Sequence, residues 1–237
     1  MHVPVVPMSN YTGYRLVNSK FPPIALFDDV ASHDQFDAIF LLQSLTNPRL
    51  NAEVGNLSLI HTQEIPFGIQ GCSAASASFT HVNPDGSRFS DGKFGLLYLA
   101  KNPETAIKET VYHQTNIFGG TPGLKFDSLV MREYKGEFSG SMLNVHHGFD
   151  YLYDKYDYTL SQAFGKQHYK AYRKAFEQGA SDVSPSGISF ASVRDNGLPC
   201  WALFTPRGVT SMVQKRHFEY IYDPIKKCIS DVKQLAG

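Results

Sequence analysis

Between Gly86 and His113 the chain runs through a glycine-flanked turn, Gly86-Ser-Arg88-Phe-Ser-Asp-Gly92, and an apolar stretch, Phe94-Gly-Leu-Leu-Tyr98-Leu-Ala100. It then enters Asn102-Pro-Glu-Thr-Ala-Ile-Lys-Glu109-Thr-Val-Tyr-His113. A short apolar run after a turn signal predicts a buried strand over 94–100. Asn102 can accept hydrogen bonds from the free N–H groups of a following helical turn, and Pro103 suits the first helical position. Ala106, Ile107, Thr110 and Val111 then recur at helical spacing. Turn, strand and helix in immediate succession commit this part of the chain to a mixed α and β fold.

The same succession carries a cation, an aromatic ring and a carboxylate on three consecutive elements. Arg88 follows the turn signal Asn83-Pro-Asp-Gly86 and reads either as a surface residue or as a ligand contact. Tyr98 is either a core tyrosine with a satisfied hydroxyl or a flat face offered to a ligand. Glu109 falls beside Ala106 on the flank of the apolar stripe, so it faces either a cleft at the edge of the core or water. Together the three suit a charged nucleotide whose sugar is to be attacked.

Elsewhere the residues 1–28 read as an extended entry segment punctuated by Pro4, Pro7, Pro22 and Pro23. Phe36, Ile39, Phe40 and Leu42 predict an amphipathic helix over 34–44, closed by Asn47-Pro48. The Ala- and Ser-rich stretch 71–79 predicts close packing of a helix or strand. A strand is expected over 126–134 and one or two helices over 160–178. Two strands joined by an Asp195-Asn-Gly turn are expected over 187–206. The tyrosine- and aspartate-rich run 150–158 reads as a polar surface loop. No repeat or linker interrupts the chain, so one domain over 1–237 is expected, with a leader at 1–80 and a core at 81–222.

A hydrophobic content of 42% supports a sizeable core and argues against global disorder. The 22 basic residues are cancelled by 22 acidic ones, which removes the overall basic excess of a nucleic-acid binder. Cys72, Cys200 and Cys228 are widely spaced and form no C-x-x-C pair, and the N-terminus carries neither the basic nor the apolar region of a signal peptide. A cytoplasmic location is expected, with no membrane span. His146 and His147 are adjacent and point apart on helix or strand, so no metal site is expected.

The Gly86–His113 stretch resembles the RES-domain family, named for its Arg, Glu and Ser. Its signature is a glycine-rich arginine turn, then Tyr-Leu-Ala, then a helix with Ala and Glu. Gly187-Ile-Ser-Phe-Ala-Ser192-Val-Arg194 and Cys200-Trp-Ala-Leu-Phe-Thr-Pro206 are similar to that family's strand pair. Phe21-Pro-Pro-Ile24 and Leu45-Thr-Asn-Pro-Arg-Leu50 resemble the leader of a longer subgroup, so the resemblance spans 14–222.

The resemblance implies an α+β, ADP-ribosyltransferase-like fold of two packed or split β-sheets surrounded by helices. It implies cleavage of the nicotinamide–ribose bond of NAD⁺, with NAD⁺ as substrate rather than cofactor and inorganic phosphate as a possible co-substrate. An Xre-type antitoxin and a second copy of the chain are the implied partners. Glu109 would stabilise the ribosyl cation, Arg88 and the upstream Arg15 would hold the pyrophosphate, and Tyr98 would face nicotinamide or ribose. The family serine falls on Ser161, Thr159 or Ser192, depending on alignment. A mono-ADP-ribosyltransferase and a catalytically idle interaction protein remain as alternatives.

Overall fold

The computed structural model describes residues 2–20, 55–121, 127–180 and 184–236, with the isolated positions 28, 32 and 35. The helix expected over 34–44 lies almost wholly outside the described residues, as do the two leader motifs. In chain order the elements are β1 (Val5–Asn18), α1 (Cys72–Thr80), β2 (Leu97–Ala100) and α2 (Pro103–Gly120). They continue with β3 (Ser128–Asn144), α3 (Thr159–Glu177), β4 (Gly187–Ala191), β5 (Pro199–Leu203), β6 (Val209–Asp223) and β7 (Cys228–Gln234).

The seven strands form one mixed sheet in the order β1-β2-β5-β4-β3-β6-β7, and β1 pairs with β3 as well. That extra pairing closes five strands into a circuit. The circuit is uneven. β1 and β3 run antiparallel from Val5 opposite Leu143 to Asn18 opposite Met131, whereas β1 meets β2 only at Tyr14 opposite Ala100. The two strands therefore separate on either side of that pair, and β6 and β7 extend the other side of β3. The entry segment expected over 1–28 thus contains a full strand of the sheet.

Alternation along the strands divides the core in two. Leu97, Leu99, Trp201 and Leu203 join a cluster with Cys72, Ala75 and Phe79 of α1. Ala100, Cys200 and Ala202 join a cluster with Ala106 and Phe118 of α2. The side chain of Asn102 accepts the Thr105 N–H and Pro103 opens α2, as the sequence predicts.

The strand expected over 94–100 begins only at Leu97. The Phe94 carbonyl is taken by the Ser90 hydroxyl at 2.5 Å, and its ring stacks on Tyr169 of α3 at 4.1 Å. Those contacts draw residues 94–96 away from the ladder and toward α3. The 160–178 segment is one helix, and the 126–134 strand continues to Asn144.

Candidate active site

A cavity of about 510 Å³, within the range of small-molecule sites, opens where β1 and β2 part. Tyr14, Arg15 and Leu16 meet Tyr98, Leu99 and Ala100 along its floor. α2 lends Ala106, Glu109, His113 and Asn116, a spacing that repeats along one helical face. The chain between Ser78 and Ser90, with Arg88, forms a third side, and Tyr158, Phe190 and Cys200 complete the lining.

Arg88 is buried, which overturns its reading as a surface residue. Its position is fixed by its neighbours. The Tyr98 hydroxyl accepts the Phe89 N–H at 3.0 Å and shares a hydrogen bond with Ser87 Oγ at 2.9 Å. Gln162 Nε2 of α3 donates to the Ser87 carbonyl at 3.0 Å. The guanidinium donates through Nη1 to the carbonyls of Leu152 and Asp154, at 2.9 and 3.0 Å, and lies 4.6 Å from the centre of the Tyr158 ring. The 150–158 run is therefore more than a polar surface loop: its backbone holds one edge of the arginine, and Leu152 is buried. Burial pushes the Tyr98 hydroxyl up to about 12, against the pull of Ser87 and the Phe89 N–H. It stays a neutral hydrogen-bonding anchor.

Glu109 is half-buried and accepts a hydrogen bond from Ser192 Oγ at 2.5 Å. The same oxygen accepts the N–H groups of Arg194 at 3.1 Å and Asp195 at 3.0 Å. Asp195 is tied in turn to α2, accepting Thr105 Oγ1 at 2.7 Å and pairing with Lys108. Lys108, with help from Thr105, holds the Asp195 carboxyl below its usual range. His113 is exposed overall, and desolvation of its ring, followed by the cations Arg194 and Arg88, lowers its imidazole.

Arg15 brings a second guanidinium to the cavity. Its Nη1 is buried without a partner, and burial pulls the group down to about 10. Tyr98, Arg88, Arg15 and Glu109 thus line one cavity, with Ser192 directly behind the carboxylate. The other two hydroxyl candidates lie elsewhere. Ser161 is buried in the first turn of α3 and donates to the Tyr158 carbonyl at 3.1 Å, while Thr159 is exposed and its N–H is capped by Asp157 at 2.8 Å. Neither lines the cavity: the Ser161 hydroxyl is taken by the local backbone, and Thr159 is tied to the Asp157 carboxylate.

Sequence reasoning passed over Ser87, Gln162, His113 and Asp195. His113 carried a usable signal, since it lies four residues beyond Glu109 and one helical turn brings both to the same face. Among the described residues no three of His, Cys, Asp and Glu gather as a metal site. Cys200 lines the cavity but is buried, and burial with nearby Glu109 raises its thiol, which suits packing rather than nucleophilic attack.

A family model for the RES domain matches residues 65–223. The chain belongs to the RES-domain family. The match takes in α1, the arginine turn, α2 and the β4–β5 pair, every element of the cavity except β1 with its Arg15. The chain is also 34% identical over 131 residues to the uncharacterized protein y4oC of Sinorhizobium fredii (strain NBRC 101917 / NGR234), an alignment covering 55% of each protein. This RES-domain chain thus spans about half the length of the curated relative it matches.

Proposed function

We propose that this RES-domain protein degrades NAD⁺ by cleaving the nicotinamide–ribose bond, with phosphate or water as acceptor. The observation that carries the reading is a single cavity in which a carboxylate oriented by Ser192 shares the lining with two guanidinium groups. The strands form one seven-stranded sheet rather than the two packed or split sheets expected, and an ADP-ribosyltransferase-like architecture, with α1 and α2 packed against that sheet, is part of the proposal.

The chemistry follows from the residue types. As the C1′–N bond breaks, nicotinamide leaves with the bonding pair and positive charge develops on the ribose, as in glycoside cleavage. Glu109 stabilises that charge and holds ribose hydroxyls. Arg15 and Arg88 neutralise the pyrophosphate, and paired N–H groups suit phosphoryl oxygens. Tyr98 fixes the arginine turn and offers its ring to the sugar or base. An oxygen of phosphate or water then bonds to C1′, and water as acceptor releases a proton to solvent.

The protein is further proposed to be the toxin of a pair neutralised by an Xre-type antitoxin, acting in the cytoplasm as one domain. No helix among the described residues is long and apolar enough to cross a membrane. The test is incubation with NAD⁺, with and without phosphate, followed by product analysis. Nicotinamide should appear, and Glu109→Gln should slow its release by ~10²–10³, the usual cost of one lost electrostatic contribution. Absence of nicotinamide under both conditions refutes the reaction.

A further inference from the structure

Two histidines line the cavity, and they differ in what holds their rings. His81 Nδ1 lies 3.1 Å from Thr80 Oγ1, so that ring is engaged at its own helix end. His146, away from the cavity, is engaged in the same way, with Nε2 3.0 Å from Ser189 Oγ. His113 is held through its ring instead. Its imidazole meets the Tyr112 ring in a T-shaped contact with centroids 5.3 Å apart, and the Arg194 guanidinium lies 3.4 Å from the centre of that tyrosine. The Tyr112 hydroxyl donates to the Lys155 carbonyl at 3.3 Å, which anchors the stack. Among the described residues no hydrogen bond reaches either nitrogen of His113.

The helix decides where this imidazole sits. Glu109 and His113 are four residues apart on α2, so they share a face with Cβ atoms about 5–6 Å apart, and both line the cavity. Glu109 is the group assigned to the ribosyl cation, so His113 borders the space beside C1′. An imidazole with an unoccupied nitrogen has a use there that no guanidinium shares: it accepts and then returns a proton near neutral pH. The groups facing it are Arg88 from the turn, Arg194 from the segment after β4, and Glu109 and Tyr112 from α2. The two guanidinium groups and the desolvation of the ring disfavour the imidazolium, which keeps a nitrogen lone pair available. Once a pyrophosphate offsets the charge of Arg88, that penalty eases, and Glu109 favours the imidazolium that forms.

We propose that His113 is the general base that activates water as the acceptor. The proposal rests on the NAD⁺-cleaving reading and adds to it the residue that takes the acceptor's proton. Nicotinamide leaves with the C1′–N bonding pair, and a water oxygen bonds to C1′ through a lone pair. One O–H bond of that water breaks, its pair stays on oxygen, and the proton passes to the free nitrogen of His113. The imidazolium then returns the proton to solvent. A dianionic phosphate oxygen has no proton to lose, so phosphorolysis at the same carbon does not call on His113.

The test follows nicotinamide release with and without phosphate, across pH, in the parent, His113→Gln and His147→Gln. His147 is exposed and outside the cavity lining, so it controls for the loss of a histidine. All three should melt together, since His113 is exposed and makes no hydrogen bond among the described residues. Without phosphate, His113→Gln should lower kcat by at least ~10²-fold, the lower scale of general-base catalysis, while its phosphate-supported rate stays close to the parent's. The parent's kcat/KM for hydrolysis should fall on acidification, with a midpoint below the ordinary histidine value, and His113→Gln should lack that limb. Parent-like hydrolysis in His113→Gln, survival of the acid limb, equal loss of hydrolysis and phosphorolysis, or release by the parent only with phosphate each overturns the base and leaves the cleavage reading intact. No nicotinamide from the parent under either condition overturns both.

Discussion

Replacing Ser192 by alanine separates two roles for a serine placed beside a carboxylate. The hydroxyl makes three bonds at once, donating to Glu109 and accepting from the N–H groups of Arg194 and Asp195. A hydrogen bond to a charged group contributes ~1.5–3 kcal/mol, and a buried donor left without a partner costs ~1–3 kcal/mol. The Asp195 N–H is buried with its residue, while the half-buried Arg194 N–H can reach water. A net loss of ~2.5–6 kcal/mol follows, which for a chain of this size lowers Tm by roughly 5–25 °C. The freed Glu109 carboxylate should also lower kcat for nicotinamide release more than it raises KM. Differential scanning calorimetry and progress curves on one preparation read both. In contrast, Glu109→Gln keeps an acceptor for Ser192 and should lose rate with little change in Tm. A Ser192→Ala protein that melts with the parent yet is inactive would refute this reasoning and make the hydroxyl a reacting group.

Arg88→Lys keeps the charge but cannot reach both Leu152 and Asp154 carbonyls while stacking on Tyr158; it should weaken NAD⁺ binding and also raise the protease susceptibility of the 150–158 loop, measured by limited proteolysis. The Asp195 carboxyl is depressed in the folded state, so its contribution is present above the unfolded value of about 3.9 and is lost as pH falls through the folded value. Lys108→Met should therefore be less stable than the parent near neutral pH, with the gap closing in urea titrations as pH falls through the depressed folded value; a gap independent of pH would refute the pairing.

Much of the local structure was legible where one residue decides it. Asn102 and Pro103 fix the start of α2, and the Asp195-Asn-Gly turn fixes the β4–β5 pair, with Asn196 and Gly197 both at positive φ. Phe94 misled because its apolar character suits a strand, while its carbonyl and ring were claimed by Ser90 and α3, partners visible only in three dimensions. Arg88 was legible as a residue of interest but not as a buried one, since its acceptors are backbone carbonyls more than sixty positions away, which no side-chain pattern announces. The serine was ambiguous for a similar reason. Local sequence gave two hydroxyls at the start of a helix, Thr159 and Ser161, and a third, Ser192, in the strand block, and the β4–β5 pair is what carries Ser192 to the Glu109 carboxylate of α2.

The segment Ser192–Asp195 joins these observations physically. Ser192 sets the Glu109 carboxylate, and Asp195 grips Thr105 and Lys108 on the adjoining flank of the same helix. Arg194 stacks 3.4 Å from the centre of the Tyr112 ring on α2 and donates to the Lys155 carbonyl in the 150–158 loop. That loop also receives Arg88. One turn of chain therefore fixes the rotation of α2 about its axis, the direction of its carboxylate and the seat of the loop that holds the arginine. These contacts span more than eighty residues of sequence and share donors and acceptors, so they strengthen or fail together. The carboxylate's geometry is accordingly a property of the β4–β5 turn as much as of the helix that carries it.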